Sequence, residues 1–209
     1  MDPVSVVLII VAGYVIGSFP TAYLVARTKG IHIFNVGSGN MGATNVTRAL
    51  GWRYGVLVWA WDGLKGFLVV LLARMIFPDA RAAASVIGAV AVVAGHNWSF
   101  LATLITGSIR GGKGAATAMG TFLLLAPTLI VALTLALAAA VILLTRFVSL
   151  AVLTAAAAGA VAILIMVIVG YLDPVYSLYL LVAYMIFWRH RRNIYSLIQG
   201  TERRLGERI

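Results

Sequence analysis

Apolar residues fall along this chain in long unbroken blocks separated by short polar segments. Val4 to Ala26, Tyr54 to Phe77 and Ala82 to Thr106 each approach or exceed the roughly 20 residues that carry a helix across a hydrocarbon core. Ala115 to Thr145 is longer still, and Phe147 to Val169 and a shorter Val175 to Trp188 follow. Gly and Ala are frequent within the blocks, which suits close helix packing in lipid. No charge lies between Val4 and Ala26, and that block is too long for the apolar core of a signal peptide, so it is read as a retained helix. The pattern predicts an all-α, polytopic membrane bundle forming one domain over residues 1–209.

Composition agrees. Apolar residues make up 62% of the chain and charged ones 11%, with a mean hydropathy of +1.03. A soluble domain is roughly half apolar and about a quarter charged, and this chain has too little polar surface to coat one. There is no cysteine, which excludes disulfides and thiolate chemistry. The scattered His residues have few acidic neighbours, so no metal, no cofactor and no nucleic-acid partner is expected.

The basic segments set the expected topology, because Lys- and Arg-rich short loops stay in the cytoplasm. Arg27, Lys29, Arg48 and Arg53 mark the first loop as inside and leave the N-terminus outside. Arg110 and Lys113 also fall inside, as does a tail with Arg189, Arg191, Arg192, Arg203, Arg204 and Arg208. This parity holds only if Ala115 to Thr145 crosses twice, breaking near Pro127. The expectation is therefore seven transmembrane helices, with two short crossings of about 15 residues, about 23 Å each.

Candidate chemistry lies in the inside segments. Gly37, Ser38, Gly39, Asn40, Met41 and Gly42 lead into a helix expected to begin near Ala43, with Asn40 or Thr44 as its cap. A glycine-rich turn before a helix N-terminus presents N–H groups to an anion, and Arg48 follows about one turn on. The alternative is a flexible surface loop. The second segment, Gly107 to Gly114, nearly spells a nucleotide-binding P-loop. Gly114 stands where that loop needs Ser or Thr, so a phosphate cradle of backbone N–H groups plus Lys113 is the surviving reading, against a merely topogenic basic loop. In the third, His190 and Asn193 share a face at i, i+3 if the last helix continues past Trp188. The arginines beside them equally fit a stop signal that contacts anionic lipid.

Taken together, Gly37 to Arg48, Asp62-Gly63-Leu64-Lys65-Gly66, Gly95-His96, Gly111 to Thr117, Arg146 to Leu150, and His190 to Ile194 with Gly200-Thr201-Glu202 resemble the acyl-phosphate:glycerol-3-phosphate acyltransferases, the PlsY family of bacterial membrane enzymes. The resemblance covers almost the whole chain, and the six segments in order are highly specific. Met41 stands where that family usually has Pro, Asn97-Trp98-Ser99 where an aromatic and Pro are common, and Arg110 where Lys is frequent.

The resemblance implies a seven-helix bundle in the bacterial inner (cytoplasmic) membrane, N-terminus outside and C-terminus cytoplasmic, with the active site on the cytoplasmic side. It implies acyl transfer from acyl phosphate to glycerol 3-phosphate, giving 1-acyl-glycerol 3-phosphate (lysophosphatidic acid) and inorganic phosphate. Membrane lipid and an upstream acyl-phosphate-forming enzyme are the implied partners. It carries over Ser38, Arg48, Lys113, His190 and Asn193 as the polar catalytic set. Gly37, Ser38, Gly39, Asn40, Gly42, Ala43, Thr44 and Asn45 are assigned to the acyl-phosphate head. Gly111, Gly112 and Gly114 complete the second cradle, with Arg146 and Ser149 assisting.

No His is followed five residues on by Asp, the dyad of soluble acyltransferases. Either His190 takes the hydroxyl proton or a substrate phosphate does. Substrate assistance is preferred, because the donor is an activated anhydride whose leaving phosphate accepts protons. The rival reading is a transporter of a small phosphorylated solute. Transporters usually carry polar residues at mid-membrane and an internal repeat, and neither is evident. A membrane lipid phosphatase is disfavoured because no suitable nucleophile arrangement is evident.

Overall fold

The computed structural model describes residues 1–207, and Arg208 of the basic tail lies outside the described residues. The blocks named above are mostly helical, with short breaks inside several of them. Among the described residues, five helical segments are long and apolar enough to span a membrane: Pro3–Arg27, Trp52–Ile76, Pro78–Asn97, Thr128–Thr145 and Val148–Ile168.

The first segment is two helices, α1 (Pro3–Gly17) and α2 (Thr21–Arg27), broken at Pro20, which has no N–H to continue the ladder. After the glycine-rich turn comes α3 (Ala43–Leu50), then α4 (Trp52–Ile76) and α5 (Arg81–Asn97). The block read as Ala82 to Thr106 is not one helix. It stops at Asn97, and Ser99 then caps a short α6 (Phe100–Thr106) by accepting from Ala102 N at 3.0 Å. The long block divides as expected at Pro127, into α7 (Ala115–Leu125) and α8 (Thr128–Thr145). The two parts are unequal, however. At about 1.5 Å per residue, α7 is only about 17 Å long. Its C-terminal end is held from α4: Arg74 donates to Leu124 O at 2.5 Å and to Ser85 Oγ at 2.9 Å. The last long helix is α9 (Val148–Ile168), followed by α10 (Leu180–Arg189) and α11 (Arg191–Ile198).

α5 is the central helix and packs against α1, α4 and α10. The α1–α5 crossing is reciprocal: Gly17 lies on the Val92 carbonyl and Gly95 on the Tyr14 carbonyl, where a Cβ would collide with backbone. The α4–α7 crossing repeats this device with Gly66 on Thr117 and Gly120 on Gly63. Lipid gives apolar helices little hydrophobic reason to associate, so such close backbone approach supplies the packing energy. α8 packs mainly on α9, and it turns Leu129, Leu133, Leu143 and Leu144 outward.

Candidate active site

The turn before α3 is organised by Asn45. This side chain, 2% exposed, accepts from Ser38 N at 3.0 Å and donates to Val36 O at 3.0 Å and Asn40 O at 2.9 Å. Gly37 and Gly39 adopt left-handed φ values of 60° and 65°, which a side chain would disfavour. Neither Asn40 nor Thr44 caps α3. Its N-cap is Gly42, which makes no side-chain bond, so the capping expectation is corrected: the polar side chain that matters is Asn45, inside the helix and bonded backwards. Among the described residues the amides of Asn40 to Thr44 donate to no protein group.

The second cradle also differs from expectation. Gly112 N is already committed to His96 O at 2.9 Å, so it does not serve an anion. The N–H groups from Lys113 to Thr117, at the start of α7, donate to no protein group among the described residues. The N-terminal ends of α3 and α7 face one cavity, and each brings a partial positive charge of about half a unit.

That cavity, about 450 Å³, has a polar end and an apolar end. Ser38, Arg48, Lys113, His190 and Asn193 all line it, together with Asn40, Gly42, Ala43, Thr44, Asn45, Gly114 and Ser149. The catalytic set proposed from sequence is thus gathered in one place. A polar basin of about 650 Å³ adjoins it, sharing Ser38, Asn40, Arg48, Lys113 and Asn193 and adding Gly39, Gly111, Arg110, Arg189, Arg191 and Arg192. In the other direction the cavity continues as an apolar channel. Phe122 of α7, Leu135, Ala138 and Ile142 of α8, Val152 and Ala156 of α9, and Val182 of α10 line it. Trp59 and Leu135 both line the cavity and remain 47% and 42% exposed, so on this apolar flank its wall is thin.

Gly37, Gly112 and Arg146 line neither cavity. Arg146, expected to assist at the site, is instead bonded to the tail. It caps α8 at φ 63°, donates from Nη2 to Leu205 O at 2.7 Å, and accepts from Leu205 N at 2.7 Å. The strap so held carries Glu202 into the cavity. Glu202 Oε1 accepts from Ser149 Oγ at 2.7 Å and from Asn193 Nδ2 at 2.8 Å. Asn193 Oδ1 in turn accepts from Lys113 Nζ at 2.6 Å.

Sequence reasoning left Glu202, Arg203, Asp62 and His96 out of the site, yet all four line the cavity. Lys65 lies just behind them, with Nζ 2.8 Å from Asp62 Oδ1. The helix centres, almost bare of charge in sequence, have one exception: α4 holds a buried ion pair at i, i+3. A signal was present, since two charges three residues apart in an apolar helix need each other.

Electrostatics separate Lys113 from His190. Burial brings the Lys113 ammonium from the usual 10.5 down to about 8, with Arg48 and Arg189 acting the same way and Glu202 opposing them. Burial, then the charge of Lys113, brings His190 down to about 4, so its imidazole is neutral at pH 7. His190 Nδ1 lies 2.8 Å from Ile186 O. A carbonyl can only accept, so Nδ1 carries the proton and Nε2 is left as an acceptor.

Fold and site together define a helical integral membrane protein with a cationic, N–H-rich cavity continuous with an apolar channel. The family model for glycerol-3-phosphate acyltransferase matches residues 7–200, and the chain belongs to that family. It is 43% identical over 200 residues to the glycerol-3-phosphate acyltransferase of Thermus thermophilus, covering 94% of this chain and 93% of the relative. Identity to glycerol-3-phosphate acyltransferase 1 of Deinococcus radiodurans is also 43%, over 98% of both chains. Crystal structures of PlsY, an integral membrane glycerol 3-phosphate acyltransferase, share the fold. The glycerol 3-phosphate form superposes with a TM-score of 0.84 at 36% identity, covering 97% of this chain and 96% of that one. The lysophosphatidic acid form gives 0.82 at 35%, with the same coverage. The transporter reading is overturned by this membership in an acyltransferase family.

Proposed function

We propose that the protein transfers an acyl group from acyl phosphate to glycerol 3-phosphate, releasing lysophosphatidic acid and inorganic phosphate, at the cytoplasmic face of the bacterial inner membrane. The observation that carries this reading is the convergence of two helix N-termini, Arg48 and Lys113 where a polar cavity meets an apolar one. Two phosphates and one acyl tail need this combination. The glycerol 3-phosphate and lysophosphatidic acid forms of the related PlsY structures support the same substrate and product pair.

In this reading the amides from Asn40 to Thr44 and Ser38 hold the acyl-phosphate head, and the tail lies along Phe122, Ala138 and Ala156. Arg48, Lys113 and Asn193 hold glycerol 3-phosphate. His190 Nε2 accepts a hydrogen bond from the neighbouring, non-attacking hydroxyl of glycerol 3-phosphate, which aims the attacking hydroxyl at the acyl carbon and leaves its proton free for phosphate. The new C–O ester bond forms, and the carbonyl oxygen carries negative charge opposite the cations and N–H donors. Collapse breaks the acyl–phosphate C–O bond, and the departing phosphate takes the hydroxyl proton. A neutral imidazole with a pKa near 4 is the weaker base, which favours phosphate as acceptor. The seven-crossing topology, N-terminus outside, puts every one of these groups on the cytoplasmic side.

The direct test is detergent-purified protein with acyl phosphate and labelled glycerol 3-phosphate. Lysophosphatidic acid should form without divalent metal, carrier protein or acyl-CoA. An absolute requirement for acyl-CoA would overturn the donor assignment.

A further inference from the structure

Lys113 sits at the end of a loop that is gripped from two sides. On one side is the end of α5. Gly112 N donates to His96 O at 2.9 Å, Gly111 lies on the Asn97 carbonyl, and Gly112 lies against the tip of the His96 ring. A Cβ at either glycine would collide with these groups, so the pair is glycine for close approach. On the other side is Arg189. Its Nε donates to Gly112 O at 2.8 Å and its Nη2 to Gly111 O at 3.2 Å, with the guanidinium over the Trp98 ring at 5.9 Å. The two carbonyls immediately before Lys113 are therefore bonded to one planar fork.

The His96 ring is itself held from below. Lys65 Nζ lies 2.9 Å from His96 Nδ1, and an ammonium only donates, so Nδ1 accepts and the ring proton stands on Nε2, beside Gly112. The remaining donors of Lys65 reach Asp62 Oδ1 at 2.8 Å and Phe19 O at 3.2 Å, and Asp62 also accepts from Thr21 Oγ1 at 3.2 Å. Asp62, Lys65 and His96 are all buried. Lys65 lines neither cavity, and the acyl-transfer steps above make no use of it. Arg189 directly precedes His190, so its fork ties the helix end that carries the imidazole to the loop that carries the ammonium.

We infer that Arg189 and the buried Asp62–Lys65–His96 cluster are positioning residues for acyl transfer, clamping Gly111 and Gly112 from opposite sides and so fixing Lys113 relative to His190. The inference rests on the reading of Lys113 as a ligand for glycerol 3-phosphate. It explains why a buried ion pair persists in α4, where its desolvation is costly and packing alone would favour apolar residues.

The test compares Arg189→Lys, Arg189→Ala, Lys65→Gln and Lys113→Ala as purified full-length protein in the acyl-phosphate assay, with thermal unfolding measured for each. Arg189→Lys keeps the charge but cannot span two carbonyls. It should raise the KM for glycerol 3-phosphate by about tenfold or more, the factor attached to losing one charged hydrogen bond, and leave the KM for acyl phosphate within about twofold. Millimolar methylguanidinium should restore part of the activity of Arg189→Ala and none of that of Lys113→Ala. Lys65→Gln, where folded, should show the same selective rise in KM. Wild-type KM values in Arg189→Lys, with Lys113→Ala impaired, would overturn the clamp and leave the site reading standing. A wild-type KM for glycerol 3-phosphate in Lys113→Ala would overturn the site reading itself. Wild-type KM values in a folded Lys65→Gln would remove the buried cluster from the clamp, and a Lys65→Gln chain that does not fold leaves the decision with the Arg189 pair.

Discussion

Lys113 Nζ donates to Asn193 Oδ1 at 2.6 Å, joining two segments 80 residues apart. Through Asn193 the contact reaches Glu202 and Ser149, so four elements share one polar chain. An ammonium and an amide so placed can hold a phosphate between them. Arg48→Ala and Lys113→Ala should each lower kcat/KM for glycerol 3-phosphate by about tenfold to a hundredfold, since a hydrogen bond to a charged group is worth about 1.5–3 kcal/mol. Steady-state kinetics on correctly folded variants decide this, and unchanged constants would remove both residues from the site.

His190 offers Nε2 as an acceptor because Nδ1 is committed to Ile186 O. A glutamine can present a carbonyl oxygen in the same region, whereas alanine presents nothing. His190→Gln should keep a measurable fraction of activity and His190→Ala should lose much more. Equal inactivity of the two variants, with glycerol 3-phosphate still bound, would make the imidazole the obligatory base.

Lys113 carries its charge only below about pH 8, because burial favours the neutral amine. As pH rises through that value the dianionic substrate loses a cation, so kcat/KM for glycerol 3-phosphate should fall on the alkaline side. Arg stays charged throughout, so Lys113→Arg should lose this limb even where its absolute rate is lower. The acidic limb should stay near pH 6, where a phosphate monoester takes its second proton, and should survive in His190→Gln. An alkaline limb that persists unchanged in Lys113→Arg would assign it to another group.

Membrane orientation is open to direct labelling because the chain has no cysteine. Ser149 is buried behind Glu202, so exposed Arg146 is the better reporter for that corner. Single cysteines at Ser108, Arg146 and Gln199 should react with an impermeant thiol reagent only once the cytoplasmic face is opened, and one at Asp79 should react from outside. Labelling of Arg146→Cys in intact cells would mean that α7 and α8 cross once between them.

Most of the architecture was legible because a bilayer forces it: long apolar blocks must become helices, and Pro127 must interrupt one. The polar set Ser38, Arg48, Lys113, His190 and Asn193 came from the family resemblance, whereas glycine-rich and helix-end contexts alone made Arg48, Lys113 and the His190–Asn193 pair candidates beside blander readings. What escaped were relations made only by tertiary contact. Glu202 looked like one acid in a basic tail until the strap at Arg146 brought it onto Asn193. Gly112 fitted a phosphate cradle in sequence, yet its N–H belongs to His96 and its missing side chain to the same ring. Asp62 and Lys65 stand three residues apart in sequence, but their link to His96 joins α4 to α5 and leaves no local pattern.

The thin apolar wall beside Trp59 and Leu135, set against the polar basin, implies under the proposed function two supply routes with different units of concentration. In the proposed function, glycerol 3-phosphate arrives through the arginine-lined basin and is counted per volume of water. An acyl chain arriving past α8 is counted per area of membrane, so diluting the bilayer with inert lipid or detergent starves that route while the aqueous one stays saturated. A single KM measured in bulk molarity would then describe the amphiphilic substrate only at one detergent ratio, and the product, leaving by the same flank, would compete according to its surface density.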